Sequence, residues 1–334
     1  MRRSKRSWRH SAIVVVLAAT TLVLGVIPPA LAAFSAHSEN GGNIVTAATD
    51  FRAPQVTAVA IAKSIGGASG FVKQGGGYFV YANVTADTGK PASGLATVSA
   101  DVHTVTTGST AISLSAGSFS AGGVSFNYRS AALSADAILG AGSKAFTVTV
   151  TDNALNAASL EGTVTVDNAA PAAGDIQTTN AGTNGLAEQG DSIVLSFSEP
   201  IEPESVLTGW TGTATPVVVR LIDNGLLGLP LGNDAVQIFN AANSTALPLG
   251  TIELGRGDYV AGLLGGNVRF GATGTTSTMT MSGNTISIVL GTYNATAVVD
   301  PARTTAGGTG TMTWTPVATP FDRAANPMST ATAA

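Results

Sequence analysis

The sequence contains no cysteine. This absence excludes disulfide bonds, zinc–thiolate centres and thiol nucleophiles. Charged residues are also few, because they make up 11% of the chain, against about a quarter in typical soluble domains. Hydrophobic residues reach 44%, which is enough to build real cores. The solvent-facing surfaces must therefore depend on threonine and serine for their solubility.

Histidine occurs three times, at His10, His37 and His103, so the chain has few side chains suited to acid–base chemistry near neutral pH. Only His103 lies in a strand-like segment, where we interpret it as a surface residue. No G-x-S-x-G segment occurs, and no glycine run ends in Lys-Ser or Lys-Thr, which argues against a serine hydrolase and a P-loop. We therefore predict no catalytic residues, no enzymatic activity and no small-molecule substrate.

Basic clusters are missing after residue 9. The first nine residues hold five positive charges and no negative one, and the formal net charge of −4 becomes −9 without them. Nucleic acids and anionic lipids bind proteins through clustered cations. We therefore expect neither of them as a partner.

The N-terminus has the three parts of an export signal. Basic residues precede an apolar run from Ala12 to Ile27, and the small residues Ala30-Leu31-Ala32 follow. This order predicts a signal peptide over residues 1–33 that is cleaved, leaving a secreted or cell-surface chain without membrane contact. The alternative is a retained anchor, but the apolar run has about 16 residues where a membrane span needs about 20.

Residues 34–53 are small and polar, which predicts a flexible segment. Phe34-Ser35-Ala36, Gly42-Asn43 and Thr46-Ala47 in this segment resemble the start of exported proteins of the camelysin and biofilm-fibre type. The resemblance is confined to this segment.

Short segments of strand-like alternation, separated by turns rich in glycine, serine, asparagine and proline, follow from Pro54. About seven of them within about 115 residues predict a β-sandwich over residues 54–170. A barrel with the same number of strands is the alternative. The clearest of these segments are 56–62, 77–86, 95–102, 124–130, 145–151 and 162–168.

A second set of strand-like segments begins after residues 167–175, which we interpret as a boundary. It predicts a second sandwich over residues 171–334. Ser282-Gly283-Asn284 predicts a tight hairpin, because glycine and asparagine accept positive φ angles. The segments of this set are 191–197, 216–222, 234–240, 250–254, 267–271, 276–282, 284–290 and 310–316.

Two short segments resemble the D-x-A-G-N hairpin of bacterial Ig-like domains. They are Asp152–Asn156, before the last strand of the first predicted domain, and Asp322–Asn326, near the end of the chain. Where the family has glycine, this chain has Leu155 in one segment and Ala325 in the other.

Two further motifs extend this resemblance. Val166–Pro171 is similar to the V-D-N-T-A-P end of Ig-like domains, and Ser196–Ile201 is similar to the F-S-E-P-I/V segment found in S-layer and other surface proteins. Together the motifs cover most of residues 54–334. The resemblance implies an all-β chain of two tandem Ig-like β-sandwiches, and it names no ligand.

The asparagine and aspartate residues of these motifs have two interpretations. Their side chains accept backbone N–H groups and so favour turns, and we prefer that interpretation. Calcium is the alternative, because hard cations bind carboxylate and amide oxygens. The calcium candidates are Asp152, Asn153, Asn156 and Asp167, although the D-x-D-x-D-G spacing is absent. We predict no other cofactor.

Glu199, Glu202 and Glu204 form the densest acidic cluster of the sequence. Paired carboxylates can hydrolyse glycosides when they face each other across a sugar. Nothing in the sequence places these three across a cleft. We interpret the segment as a solvated turn or one helical turn.

These observations predict a secreted or cell-envelope structural or adhesion protein, of bacterial type, that binds an envelope component or copies of itself. The second hypothesis is an extracellular carbohydrate- or protein-binding module. Aromatic side chains on a flat exposed face would favour the second hypothesis. The candidates for such a face are Phe79, Tyr81, Trp210, Tyr293 and Trp314, although core packing is the simpler interpretation for most of them.

Overall fold

The computed structural model describes residues 50–334 except 90–91, 226–228, 230, 263–265 and 295–301. The predicted signal peptide over residues 1–33 and most of the predicted flexible segment over residues 34–53 lie outside the described residues. Within that segment Asp50 is buried, and its carboxylate accepts the backbone N–H groups of Arg52 and Ser93. The chain is therefore already fixed in place at Asp50.

The prediction of an all-β fold is confirmed. The described residues form 21 strands and one helical turn, and each predicted strand segment contains a strand. No helix in this part of the chain is long and apolar enough to cross a membrane.

Residues 55–166 form one path of paired strands. The strands are β1 (Gln55–Lys63), β2 (Phe71–Val72), β3 (Gly77–Thr85), β4 (Leu95–Asp101), β5 (Ile112–Ala121), β6 (Val124–Ser130), β7 (Leu133–Ser134), β8 (Gly142–Asp152) and β9 (Ala157–Val166). Their order is β1-β3-β6-β5-β4-β8-β9-β2, with β7 beside β3. The Gly70 N–H donates to the Ile61 carbonyl at 2.7 Å, so the two ends of the path lie together, as in a sandwich or barrel.

Residues 173–315 form the second sheet system. Its elements are β10 (Ala173–Thr179), β11 (Ser192–Phe197), α1 (Pro203–Val206), β12 (Thr215–Asp223), β13 (Ala235–Asn240), β14 (Thr251–Glu253), β15 (Val260–Ala261), β16 (Gly266–Phe270), β17 (Ser277–Ser282), β18 (Thr285–Val289), β19 (Tyr293–Asn294), β20 (Ala302–Arg303) and β21 (Thr313–Thr315). The main order is β10-β11-β18-β17-β12-β13-β14-β21, β16 pairs with β12 and β19, and β15 pairs with β20.

The predicted hairpin at Gly283-Asn284 is confirmed. Ser282 of β17 pairs with Thr285 of β18, and Gly283 has a φ of 58°. A two-residue turn with positive φ matches the twist of the flanking strands.

Alternation along the strands produces the apolar cores. In the second system the fully buried Trp314 meets the edge of the Phe197 ring, with centroids 5.0 Å apart. Its indole N–H donates to the Leu249 carbonyl at 2.7 Å. A buried tryptophan with its polar atom satisfied belongs to the core, so Trp314 is not part of an exposed binding face.

A buried ion pair joins the two sheet systems. Lys63 ends β1, Glu202 directly precedes α1, and Lys63 Nζ lies 2.8 Å from Glu202 Oε2 with side-chain exposures of 2% and 7%. Lys63 also donates to the Ala68 carbonyl, and the Ala68 N–H donates to the Glu202 carboxylate. These extra hydrogen bonds offset part of the cost of removing two charges from water.

Gly67 allows this close approach. Its φ is +81°, and a Cβ atom at this position would lie 2.5 Å from Cδ of Glu202.

The segment after β11 contains one helical turn, α1, which was one of the two interpretations of this segment from the sequence. The solvated interpretation is wrong for Glu202, which is buried because it pairs with a lysine far away along the chain.

We predict that Glu202→Gln lowers the free energy of unfolding by about 3 kcal/mol, because it leaves the Lys63 ammonium buried without a counter-charge. The double variant Lys63→Met/Glu202→Leu removes both charges and should recover at least half of this loss. Chemical denaturation measures both effects.

Glu204→Gln is the matched control, because Glu204 belongs to the same segment and is exposed. It should change stability by less than about 0.5 kcal/mol. Equal effects of the two Glu→Gln changes would show that the ion pair contributes nothing.

Candidate functional site at the junction of the two sheet systems

The Asp152 side chain closes the turn between β8 and β9. Its Oδ1 accepts the backbone N–H groups of Ala154 at 2.9 Å and Asn156 at 2.8 Å, and its Oδ2 accepts the Asn156 side-chain amide at 2.9 Å. Burial alone would raise the pKa of Asp152, but the hydrogen bonds from Asn156 and Ala154 outweigh it and lower the pKa. Both carboxylate oxygens thus already have donors.

The Asp322 turn repeats this arrangement. Asp322 Oδ1 accepts the backbone N–H groups of Ala324 at 2.8 Å and Asn326 at 2.7 Å, and Oδ2 accepts the Asn326 amide at 2.8 Å. Leu155 and Ala325 stand at the same place in their turns, with φ angles of 68° and 74°. Both residues therefore adopt the left-handed backbone conformation that glycine adopts freely, and this conformation is strained for residues with a Cβ atom.

The asparagine side chain of each turn also binds the segment that precedes the first strand of the same sheet system. The Asn156 amide donates to the Asp50 carbonyl at 3.2 Å, and the Asn326 amide donates to the Asp167 carbonyl at 2.9 Å. Asp50 and Asp167 are therefore equivalent positions. Their segments, D-F-R-A-P and D-N-A-A-P, carry the same signal in the sequence.

The four calcium candidates do not form one site. Asp152, Asn153 and Asn156 lie at the β8–β9 turn, where the Asn153 amide donates to the Ser93 carbonyl at 2.8 Å. Asp167 follows the far end of β9, next to the start of β8, because Gly142 pairs with Val166. The length of this hairpin separates Asp167 from the other three.

Asp167 joins a different group of carboxylates. Ligand oxygens of Asp167, Glu199 and Asp322 all lie within 4.8 Å of one another. Burial, the charge and hydrogen bond of Asp167, and the charge of Asp322 raise the pKa of Glu199 to about 7. Burial also raises the pKa of Asp322, against the hydrogen bonds from its own turn.

This acidic group can hold a proton near neutral pH. The oxygens of Asp167, Glu199 and Asp322 lie within 4.8 Å of one another, and like charges at this distance cannot all ionise freely. Three carboxylates also have the right chemistry for calcium, but both oxygens of Asp322 already accept hydrogen bonds from the turn. A shared proton therefore fits these residues better than a metal ion.

A cleft with a volume of about 740 Å³ opens beside the ion pair. We call it the junction cleft. It combines three aromatic rings with charged side chains of both signs. Its lining includes Phe79, Tyr81, Trp210, Arg129, Arg323 and Glu204.

Arg129 is the central cation of the junction cleft. Its guanidinium lies 4.4 Å from the ring centroids of both Phe79 and Phe119, which fixes its plane by cation–π contacts. Its Nε atom is buried and has no hydrogen-bond partner among the described residues. Neither Arg129 nor Lys63 was predicted from the sequence, although Lys63 stands out as the one cation of the largely apolar strand β1.

The remaining predicted residues lie apart from the junction. The Tyr293 ring is half-buried and lies 4.5 Å from the Arg303 guanidinium. His103 is exposed, and its Nδ1 lies 2.6 Å from Asp101 Oδ1. The five aromatic residues predicted as candidates for a binding face therefore lie in different places. Phe79, Tyr81 and Trp210 line the junction cleft, Trp314 lies in the core, and Tyr293 is half-buried at the surface.

Comparison with known proteins adds little to this description. No family model matches the chain, and no curated protein matches it. Among solved structures it is similar to the crystal structure of dimeric latent PorU from Porphyromonas gingivalis, with 14% identity and a TM-score of 0.21. The match covers 72% of this chain and 20% of the PorU chain, so this chain spans about a fifth of the length of PorU.

The fold and the junction define an all-β protein whose two sheet systems meet at an acidic group and a mixed-charge cleft.

We predict that Leu155→Gly raises the free energy of unfolding by up to about 1 kcal/mol. Glycine relieves the left-handed strain, partly offset by the greater freedom of the unfolded chain. Leu155 is 82% exposed, so little packing is lost. Leu155→Ala, which keeps the strain, is the control for denaturant unfolding. A loss of stability in the glycine variant alone would contradict this account of the turn.

Glu199 should give the protein a pH-dependent stability. A carboxyl group whose pKa rises on folding stabilises the fold below its ordinary pKa, and this contribution is lost as the pH rises through the folded value, here about 7. The melting temperature of the wild type should therefore fall relative to Glu199→Gln between about pH 5 and about pH 8. Thermal unfolding across this range measures the difference.

Glu204→Gln, which removes an exposed carboxylate from the same segment, should show no such trend. A constant difference between the wild type and Glu199→Gln at every pH would contradict a shared proton in the acidic group.

Proposed function

We propose that this protein is a secreted or cell-surface structural protein of the tandem Ig-like type. It acts as a stiff element in adhesion or assembly and catalyses no reaction. The proposal brings together the predicted export signal, the resemblance to Ig-like motifs and the way in which the two sheet systems are joined. Its partner is an envelope component or another copy of the chain.

The observation that carries this proposal is the set of contacts across the junction. Lys63 pairs with Glu202 at 2.8 Å, Lys73 donates to the Ala325 carbonyl at 2.6 Å, and Asn326 donates to the Asp167 carbonyl at 2.9 Å. These contacts are directional and come from different elements, so they resist both bending and twisting. A stiff connection suits a protein that transmits force or fixes a spacing.

The second candidate function is the binding of a carbohydrate or a protein segment in the junction cleft. Its volume falls in the range of ligand sites, about 300–1,000 Å³. Phe79 is half-buried in the wall of the cleft, whereas Trp210 is buried. The Arg129 guanidinium lines the cleft, and its buried Nε atom has no partner among the described residues. Aromatic rings beside a few fixed polar groups are typical of such sites.

Genetic complementation in the cells that produce the protein tests both candidates. Loss of the protein should lower attachment of the cells to surfaces and to one another several-fold, and the wild-type chain should restore it. Under the structural proposal Arg129→Ala also restores attachment, whereas Glu202→Gln, which loosens the junction, does not. Immunoblots of the surface fraction must show equal amounts of each variant, and the mature N-terminus should lie between Ala32 and Phe34.

The opposite pattern favours the second candidate. If Arg129→Ala fails to restore attachment while Glu202→Gln succeeds, then the cleft carries the function. Unchanged attachment in cells without the protein would overturn both proposals.

A further inference from the structure

Two buried carboxylates face each other at the end of the β12–β13 pair. Asp223 is the last residue of β12, and Asp234 directly precedes β13. Ile222 pairs with Ala235, so the next opposed position along the ladder joins Asp223 and Asp234. Asp234 is 0% exposed and Asp223 is 6% exposed.

The two carboxylates continue a row of core residues. Leu221 pairs with Val236 one step further in along the same face, and both are buried. Alternation then places Asp223 and Asp234 on this core-facing side. Like charges directly opposite each other destabilise a sheet, and a buried charge without a partner is costly. The arrangement therefore requires some form of neutralisation.

Each carboxylate has one oxygen with donors and one oxygen without. Asp223 Oδ1 accepts the Gly225 N–H at 2.7 Å, and Asp234 Oδ2 accepts the N–H groups of Tyr259 at 2.8 Å and Val260 at 3.0 Å. Asp223 Oδ2 and Asp234 Oδ1 are buried and have no partner in good hydrogen-bond geometry within the described part of the chain. The Asn224 backbone N–H lies near enough to the Asp234 carboxylate to lower its pKa, but too far out of line to satisfy Oδ1. One oxygen of each carboxylate thus remains without a satisfactory hydrogen-bond donor.

Arg256 contacts Asp234 through its backbone, but its positive side chain already binds another carboxylate. The Arg256 carbonyl accepts the Asp234 N–H at 2.7 Å, but the Arg256 guanidinium binds the Asp258 carboxylate. Burial and the charge of Asp223 both raise the pKa of Asp234.

The Leu229 carbonyl oxygen lies near Gly225, on the Oδ1 side of Asp223. A Cβ atom on Gly225 would lie 2.5 Å from the Leu229 carbonyl oxygen and 2.7 Å from Asp223 Oδ1. Two acceptors therefore crowd around the Gly225 backbone. Carboxylate and carbonyl oxygens are the ligands that calcium prefers.

We propose that Asp223 and Asp234 bind a calcium ion between the ends of β12 and β13. The unsatisfied oxygens Asp223 Oδ2 and Asp234 Oδ1 are its anionic ligands. A donor set of oxygens alone selects hard cations. Magnesium keeps several waters and a strict octahedron, which a dry and buried carboxylate pair does not favour. This site is separate from the four residues at which the sequence suggested calcium, and it does not depend on the proposed function.

Thermal unfolding of the purified full-length protein in chelator, in calcium and in magnesium tests the proposal. Calcium at a hundredfold excess over Kd should raise the melting temperature by about 5 °C relative to chelator, and magnesium should raise it less. Asp234→Asn and Asp223→Asn should each abolish the calcium shift. Both variants should also melt above the wild type in chelator, because they remove the like-charge repulsion.

Glu199→Gln is the control for location, because it changes the other acidic group and should leave the calcium shift intact. Terbium provides a second readout, since it replaces calcium and emits when excited through a nearby aromatic residue such as Tyr259. This emission should disappear in Asp234→Asn or, if that variant does not fold, in Asp223→Asn. The proposal is overturned if calcium does not stabilise the wild type, or if the shift survives both Asp→Asn changes. A shift that disappears only in Glu199→Gln also overturns it.

Discussion

The buried pair of Lys63 and Glu202 is the interaction on which the arrangement of the two sheet systems depends. An ion pair removed from water is stable only when its remaining polar atoms are also satisfied, and here the N–H and carbonyl of Ala68 complete it. The pair fixes the end of β1 against the start of α1. Because α1 follows closely after Glu199, the same contact helps to hold Glu199 near Asp167 and Asp322.

Local patterns were enough to predict most of the strands. Alternation of apolar and polar residues marked β8 and β18, because one face of each strand is buried and the other is more exposed. The Gly283-Asn284 turn followed from the positive φ that it requires. β5 was missed because its sequence ISLSAGSFSA is small and polar and most of its side chains are exposed, so that it reads as a loop.

The junction could not be predicted, because its contacts join residues far apart in sequence. Glu199, Glu202 and Glu204 form one acidic run, yet one joins a carboxylate group, one is buried against a lysine and one is exposed. Only the register of distant strands separates these outcomes. The Asp223–Asp234 pair did leave a local signal, since an aspartate at Asp223 continues the core-facing row of Val217, Val219 and Leu221.

The twin turns show how one motif acquires different chemistry from its neighbours. Asp152 and Asp322 accept the same three hydrogen bonds, but the pKa of the first is lowered and that of the second is raised. The register of the isolated Ile201–Asp322 bridge matches that of Leu95 with Asp152, which makes Glu199 the counterpart of Ser93. Ser93 gives its N–H to the Asp50 carboxylate, whereas Glu199 brings another carboxylate to Asp167. The same turn therefore adjoins a carboxylate held by backbone donors in the first sheet system and, in the second, a carboxyl group whose pKa is raised to about 7.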